Sequence, residues 1–156
     1  MKNPIFIAFA ACAIVALLWI TFSSKKQHEE HNGAIATADA PQPIGPYSQA
    51  VIRGNALFVS GQIAIDPKTG NLDTVDIATE TKRVMNNIAA ILHASQMEVS
   101  SIAKTTIYLT NLDDFAKVNE VYGSYFGKGA YPARETVEVS RLPKGAHVEI
   151  SVTAIR

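Results

Sequence analysis

The chain has 156 residues, 47% of them hydrophobic and 18% charged, with 14 Lys and Arg against 14 Asp and Glu. The composition suits one globular domain carrying an additional apolar piece, and from Ala40 onward the charges still balance at 11 to 11, which leaves no basic field to hold nucleic acid. The one cysteine, Cys12, excludes an internal disulfide or a cysteine metal cluster, and His28, His31, His93 and His147 lack metal-ligand spacing, so no metal is expected.

The chain opens with "PIFIAFAACAIVALLWITF", Pro4 to Phe22, 19 residues without a charge. That is about the length a helix needs to cross the hydrocarbon core. Residues 1–23 are therefore expected to form an N-terminal transmembrane helix that anchors a single-pass membrane protein. The alternative is a signal sequence. A cleavable one needs a shorter apolar region with a small-x-small site close behind it, whereas bulky residues and then Lys25 and Lys26 follow here. Lys2 before the run and these lysines after it leave the orientation open. Residues 24–39, polar and without hydrophobic periodicity, read as a flexible linker. Ala40 to Arg156 remains, 117 residues, an ordinary size for one domain.

Within that domain "QAVIRGNALFVSGQIAI" flanks Gly54-Asn55 with β-branched and aromatic residues, predicting two strands joined by a tight turn. Pro67 and Gly70 break the chain in "DPKTGN". "DIATETKRVMNNIAAILHAS" then spaces Ile77, Val84, Ile88, Ile91 and Leu92 by helical steps, one apolar stripe on a helix. "SIAKTTIYLT" reads as a strand. Thr110 with Asp113 three residues on suggests a capping box for a second helix, striped by Leu112, Phe115, Val118, Tyr122 and Tyr125. "ARETVEVSRL" and "HVEISVTAI" close the chain as two further strands, read as a hairpin. Two strands, helix, strand, helix and two strands predict an α+β domain, a mixed sheet with both helices on one face.

Alternation in the last two strands puts Val137 and Val139 on one face and Arg134, Thr136, Glu138 and Ser140 on the other; in the final strand Val148, Ile150 and Val152 oppose His147, Glu149 and Ser151. The valine faces are expected to meet the helices. The opposite face is mixed polar and is read either as solvated or as packed against copies of itself around polar pockets.

In order and spacing, "IGPYSQAV", "LFVSGQI", "DFAKVNEVY" and "YPARETVEVSRLPKGAHVEISVTAI" resemble the reactive-intermediate deaminase (Rid, YjgF-type) family over nearly all of the 117 residues. The resemblance implies a chorismate-mutase-like fold in a homotrimer, with a central barrel of sheets and ligand clefts between subunits. It also implies hydrolysis of 2-imino or enamine acids, such as 2-iminobutanoate and 2-iminopropanoate, to 2-oxo acids and ammonia, with no cofactor. In that chemistry Arg134 would clamp the substrate carboxylate by two parallel hydrogen bonds, and Glu149 would act as general acid/base on water and nitrogen. By similarity, Tyr47, Ser60 and Gly61 would line the cleft, Asn119 would border it, and a backbone carbonyl near Thr136 would help hold the water. Many members have cysteine where this chain has Thr136, and most lack an N-terminal apolar run. The alternative is a non-catalytic trimer that binds small carboxylates or a partner protein through the same clefts.

Overall fold

A computed structural model describes residues 33–127 and 129–156. One six-stranded mixed sheet runs in the order β1-β2-β3-β6-β4-β5. Its strands are β1 (Gly33–Ile35), β2 (Ala50–Arg53), β3 (Ala56–Gln62), β4 (Ile102–Leu109), β5 (Ala133–Glu138) and β6 (Val148–Ile155). The helices are α1 (Ile77–Ala94) and α2 (Phe115–Gly123). The predicted α+β architecture is present, and β2 and β3 turn at Gly54, whose φ of 59° lies in the left-handed region that glycine enters without penalty.

The core fills the space between the sheet and the helices. Val84, Met85, Ile88, Ile91 and Leu92 of α1 are fully enclosed with Leu57, Ile107, Leu109, Val148 and Ile150 of the sheet. Removing five such side chains from water is the main term holding the layers together, at roughly 1.5–3 kcal/mol each. Asp76 caps α1 by accepting from the Thr79 amide at 2.8 Å. Thr110 does not open the second helix. Asn111 accepts from the Asp113 amide at the head of a short 3-10 turn, and α2 begins only at Phe115.

A carboxyl group lies inside this core. Glu80 of α1 is fully buried and accepts from the backbone amide of His147 at 2.7 Å, while its other oxygen meets the His147 ring at 2.9 Å. A buried carboxylate persists only when its lone pairs are met. Here it ties α1 to His147, the residue just before β6 and two residues before Glu149.

Three expectations need correction. The last two strands do not form a hairpin, because β4 lies between them, antiparallel to β6 and parallel to β5. β4 carries Thr105, Ile107 and Leu109 at full burial and takes a partner on each side, with α2 making the crossover that a parallel pair requires. The nine residues between β5 and β6 then pass across the end of β4 through a turn at Lys144 and Gly145, both at positive φ. Second, Gly33–Ile35, within the expected linker, pairs with Ile52, Val51 and Ala50 as an edge strand.

Third, the expected membrane localisation is overturned: among the described residues no helix is long and apolar enough to cross a membrane. The run Pro4–Phe22 that carried the expectation lies outside the described residues.

Candidate functional site

The register places Arg134 and Glu149 on opposite faces of the sheet. Thr105, Ile107 and Leu109 of β4 point to the helices, and their partners in β5 are Arg134, Thr136 and Glu138. Glu149 pairs with Tyr108, whose side chain points the other way. The expected facing of β5 is thus reversed: Val137 is 43% exposed on the open face, and Arg134 lies on the helix side. The reason is the margin of the sheet. β5 is an edge strand covered only by α2, so its helix-facing row can be polar without entering the core.

Around Glu149 the chain builds a cleft of about 240 Å³, lined among others by Tyr47, Ser60, Gly61, Pro41, Ile44 and Pro143. A bulge makes room for it. Between Val59 paired with Val152 and Gln62 paired with Ile150, two residues of β3, Ser60 and Gly61, stand opposite one of β6. The Glu149 side chain lies directly against Gly61, where any Cβ would overlap its carboxyl, so glycine is required for close approach and not for its φ. Ser60 donates its hydroxyl to the Ser48 carbonyl at 2.7 Å, and the Tyr47 hydroxyl accepts from the Ile44 amide at 3.2 Å.

Glu149 makes no hydrogen bond or ion pair among the described residues. Burial pushes its carboxyl above the ordinary glutamate value of 4.5. The folded chain therefore holds this proton more tightly than the unfolded chain does. Its contribution to stability is full below the unfolded value and is lost as pH rises through the raised folded one. Glu149→Gln should consequently melt above the parent at pH 7, and the gap should close as pH falls below about 4.5. Melting curves across that range decide it; a parent that matches or exceeds the variant at neutral pH would remove the desolvated carboxyl.

A second cavity, about 370 Å³, holds Arg134 with Asn119, Tyr122, Gly123, Tyr131 and Pro132. The guanidinium carbon sits over two rings of α2, 5.2 Å from the Tyr122 centroid and 5.8 Å from that of Phe115. It has no ion pair or hydrogen bond among the described residues. Neighbouring carboxylates are engaged elsewhere, Glu135 with Lys104 at 3.1 Å and Glu138 with the Leu112 amide at 2.9 Å. Among the described residues, Asn119 Oδ1 and Thr136 Oγ1 are buried without hydrogen-bond partners, and buried polar atoms in that condition are uncommon enough to call for a ligand, water or neighbour.

The anticipated residues thus form two groups, Tyr47, Ser60, Gly61 and Glu149 in one cavity, and Asn119 and Arg134 in the other with Thr136 on the same strand. Sequence reasoning missed the wall made by Pro41, Pro43, Ile44, Ile63 and Ile65, and the residue that holds it. Gln49 is 2% exposed; its carbonyl oxygen accepts from the Thr37 amide, and its amide group donates to the carbonyls of Thr37, Ala40 and Pro41. A glutamine at the entrance to an apolar strand was the available signal.

Comparison with known proteins bears on these groups. The sequence profile of the family described as Endoribonuclease L-PSP matches residues 37–156. A RutC family protein of Pyrococcus horikoshii is 52% identical over 122 residues, 78% of this chain and 96% of that protein. The 2-iminobutanoate/2-iminopropanoate deaminase of Escherichia coli K12 is 44% identical over 124 residues, 78% of this chain and 96% of that one. The crystal structure of the E. coli YjgF gene product superposes with a TM-score of 0.75 at 43% identity, covering 80% of this chain and 98% of that one.

Proposed function

Because the chain belongs to the Endoribonuclease L-PSP family, the family of the Rid and YjgF-type proteins, we propose that it is a hydrolase of 2-imino acids. The products are a 2-oxo acid and ammonia. The observation that carries this reading is Glu149: a half-buried carboxyl, unpaired among the described residues, with a raised pKa and facing a cleft. Such a group holds a proton nearer neutrality than a solvated carboxylate does, which suits it to proton transfer.

Arg134 clamps the substrate carboxylate through its planar fork. Glu149 gives a proton to the imine nitrogen as water adds to the imine carbon, then recovers one from that water. In the resulting tetrahedral adduct the same carboxyl protonates the nitrogen a second time. The C–N bond breaks, the hydroxyl oxygen forms the new C=O, and its proton returns to Glu149. Ammonia leaves and the carboxyl is restored. Ser60, Tyr47 and Asn119 bind around the substrate, and the Thr136 carbonyl helps hold the water. No metal or cofactor enters these steps.

The two residues serve one substrate only if they come from different copies. Opposite faces of one sheet cannot converge, whereas the open face carries Phe58 at 50%, Val137 at 43% and Ile155 at 39% exposure, an apolar surface suited to burial against a second copy. We read the assembly as a homotrimer with one site at each interface. The family description names an endoribonuclease, but an 11-to-11 charge balance from Ala40 onward gives an RNA backbone little to bind. The test couples an amino-acid oxidase to the protein and follows imine decay; the proposal expects acceleration over the uncatalysed rate with matching 2-oxo acid formation. Small-carboxylate binding without acceleration would favour the non-catalytic trimer instead.

A further inference from the structure

The face of α2 that meets Arg134 is more than core filling. Phe115, Asn119 and Tyr122 stand at i, i+4 and i+7 of the helix, one stripe on its surface. The two rings receive the guanidinium, and the Asn119 amide sits between them in sequence. The rings are held differently. Tyr122 is 3% exposed and its hydroxyl donates to Thr105 Oγ1 at 2.9 Å. Burial pushes that phenol up, against the opposing pull of the Thr105 bond and of the Arg134 charge. Phe115 is 39% exposed and has no polar group to satisfy, so core packing does not account for it.

Thr105 is also the register partner of Arg134 in β4. One hydrogen bond therefore links the strand beside the arginine to the ring beneath it. With no carboxylate on its fork among the described residues, an edge-strand arginine would otherwise sample many rotamers, and that freedom would be lost on binding. A cation held against ring faces, with its carbon 5.2 and 5.8 Å from their centroids, loses rotamer freedom while its planar fork still has N–H donors for a bidentate partner.

We propose that Phe115 and Tyr122 are positioning residues for the carboxylate clamp: the two rings hold the Arg134 guanidinium in its binding orientation before ligand arrives. This inference rests on the clamp reading above. It places the effect of Phe115 in binding and leaves proton transfer, at the Glu149 that a neighbouring copy supplies to the same site, untouched.

The test measures 2-oxo acid affinity and imine turnover for the parent, Phe115→Leu, Phe115→Tyr and Arg134→Lys. Leucine keeps an apolar side chain but has no ring face. Phe115→Leu should weaken 2-oxo acid binding and raise KM by about 3- to 10-fold, the range of a partly desolvated cation–ring contact. Its kcat should stay within about 2-fold of the parent, and its Tm should be little changed because the residue is partly exposed. Phe115→Tyr restores the ring and should bind like the parent. A general packing role would not produce this division, since it would move Tm and kcat together and would not be rescued by the ring alone. Parent-like binding by Phe115→Leu, or failure of Phe115→Tyr to restore it, overturns the inference. If Arg134→Lys also binds like the parent, the clamp itself is wrong; if only Arg134→Lys is impaired, the clamp stands and the positioning role falls.

Discussion

Arg134→Lys should lower imine turnover at least about 100-fold, a loss of ~2.7 kcal/mol in transition-state stabilisation. Lysine preserves the charge but not the planar fork, so two parallel hydrogen bonds to a carboxylate become a single point contact. It also lies less well over the rings of Phe115 and Tyr122, which are 5.8 and 5.2 Å from the guanidinium carbon. The arginine has no intramolecular ion pair to lose among the described residues, so the fold should survive the change. Imine decay at several substrate concentrations, with assembly checked by sedimentation, reads the effect. Turnover equal to the parent would show that a bidentate clamp is not used.

Glu149→Gln should lower kcat by about 10²–10³-fold, within the usual range for removing a general acid/base. Binding of a 2-oxo acid should change only a few-fold, because the amide keeps the shape of the cleft beside Gly61 and can still form hydrogen bonds. The two variants can also be combined. If each site takes Arg134 from one copy and Glu149 from the next, co-assembling Arg134→Lys with Glu149→Gln restores intact sites. Random mixing in equal amounts should return about a quarter of parental activity, since each half has an even chance of being intact. No recovery from demonstrably mixed assemblies would place both groups in one subunit and contradict the register.

Much of the architecture was legible because it follows short-range rules. The Ile77–Leu92 stripe predicted α1, and Gly54-Asn55 predicted the turn between β2 and β3. The errors came where two segments were assigned as partners because they adjoin in sequence. β5 and β6 are neighbours along the chain, but β4 is the strand with both edges to fill, and nothing local to residues 133–155 shows that. The same omission reversed the faces of β5. Alternation identifies which residues share a side, and Arg134 does share one with Thr136 and Glu138; it does not say that an edge strand under a short helix can turn its polar row toward the helices. The candidate residues were found by resemblance in motif, whereas their division between two cavities depends on strand order. The roles of Gln49 and of the rings of α2 escaped notice because they are contacts with backbone and guanidinium, which have no spacing signature.

The side chain of Gln49 has a consequence for how the Glu149 cleft opens. Segments outside regular structure usually exchange their amide hydrogens through small local fluctuations. Residues 37–41 are instead joined to the base of β2 by one amide that meets four backbone groups. Releasing them leaves a side chain that is 2% exposed without its partners, so this wall should exchange late, together with the sheet. The next stretch is held much less: Ile44 is 53% exposed and is tied to Tyr47 by a single 3.2 Å contact. The Ile44–Tyr47 turn is therefore expected to exchange its amide hydrogens ahead of the Thr37–Pro41 side, an unequal distribution of local stability along eleven residues of one strap.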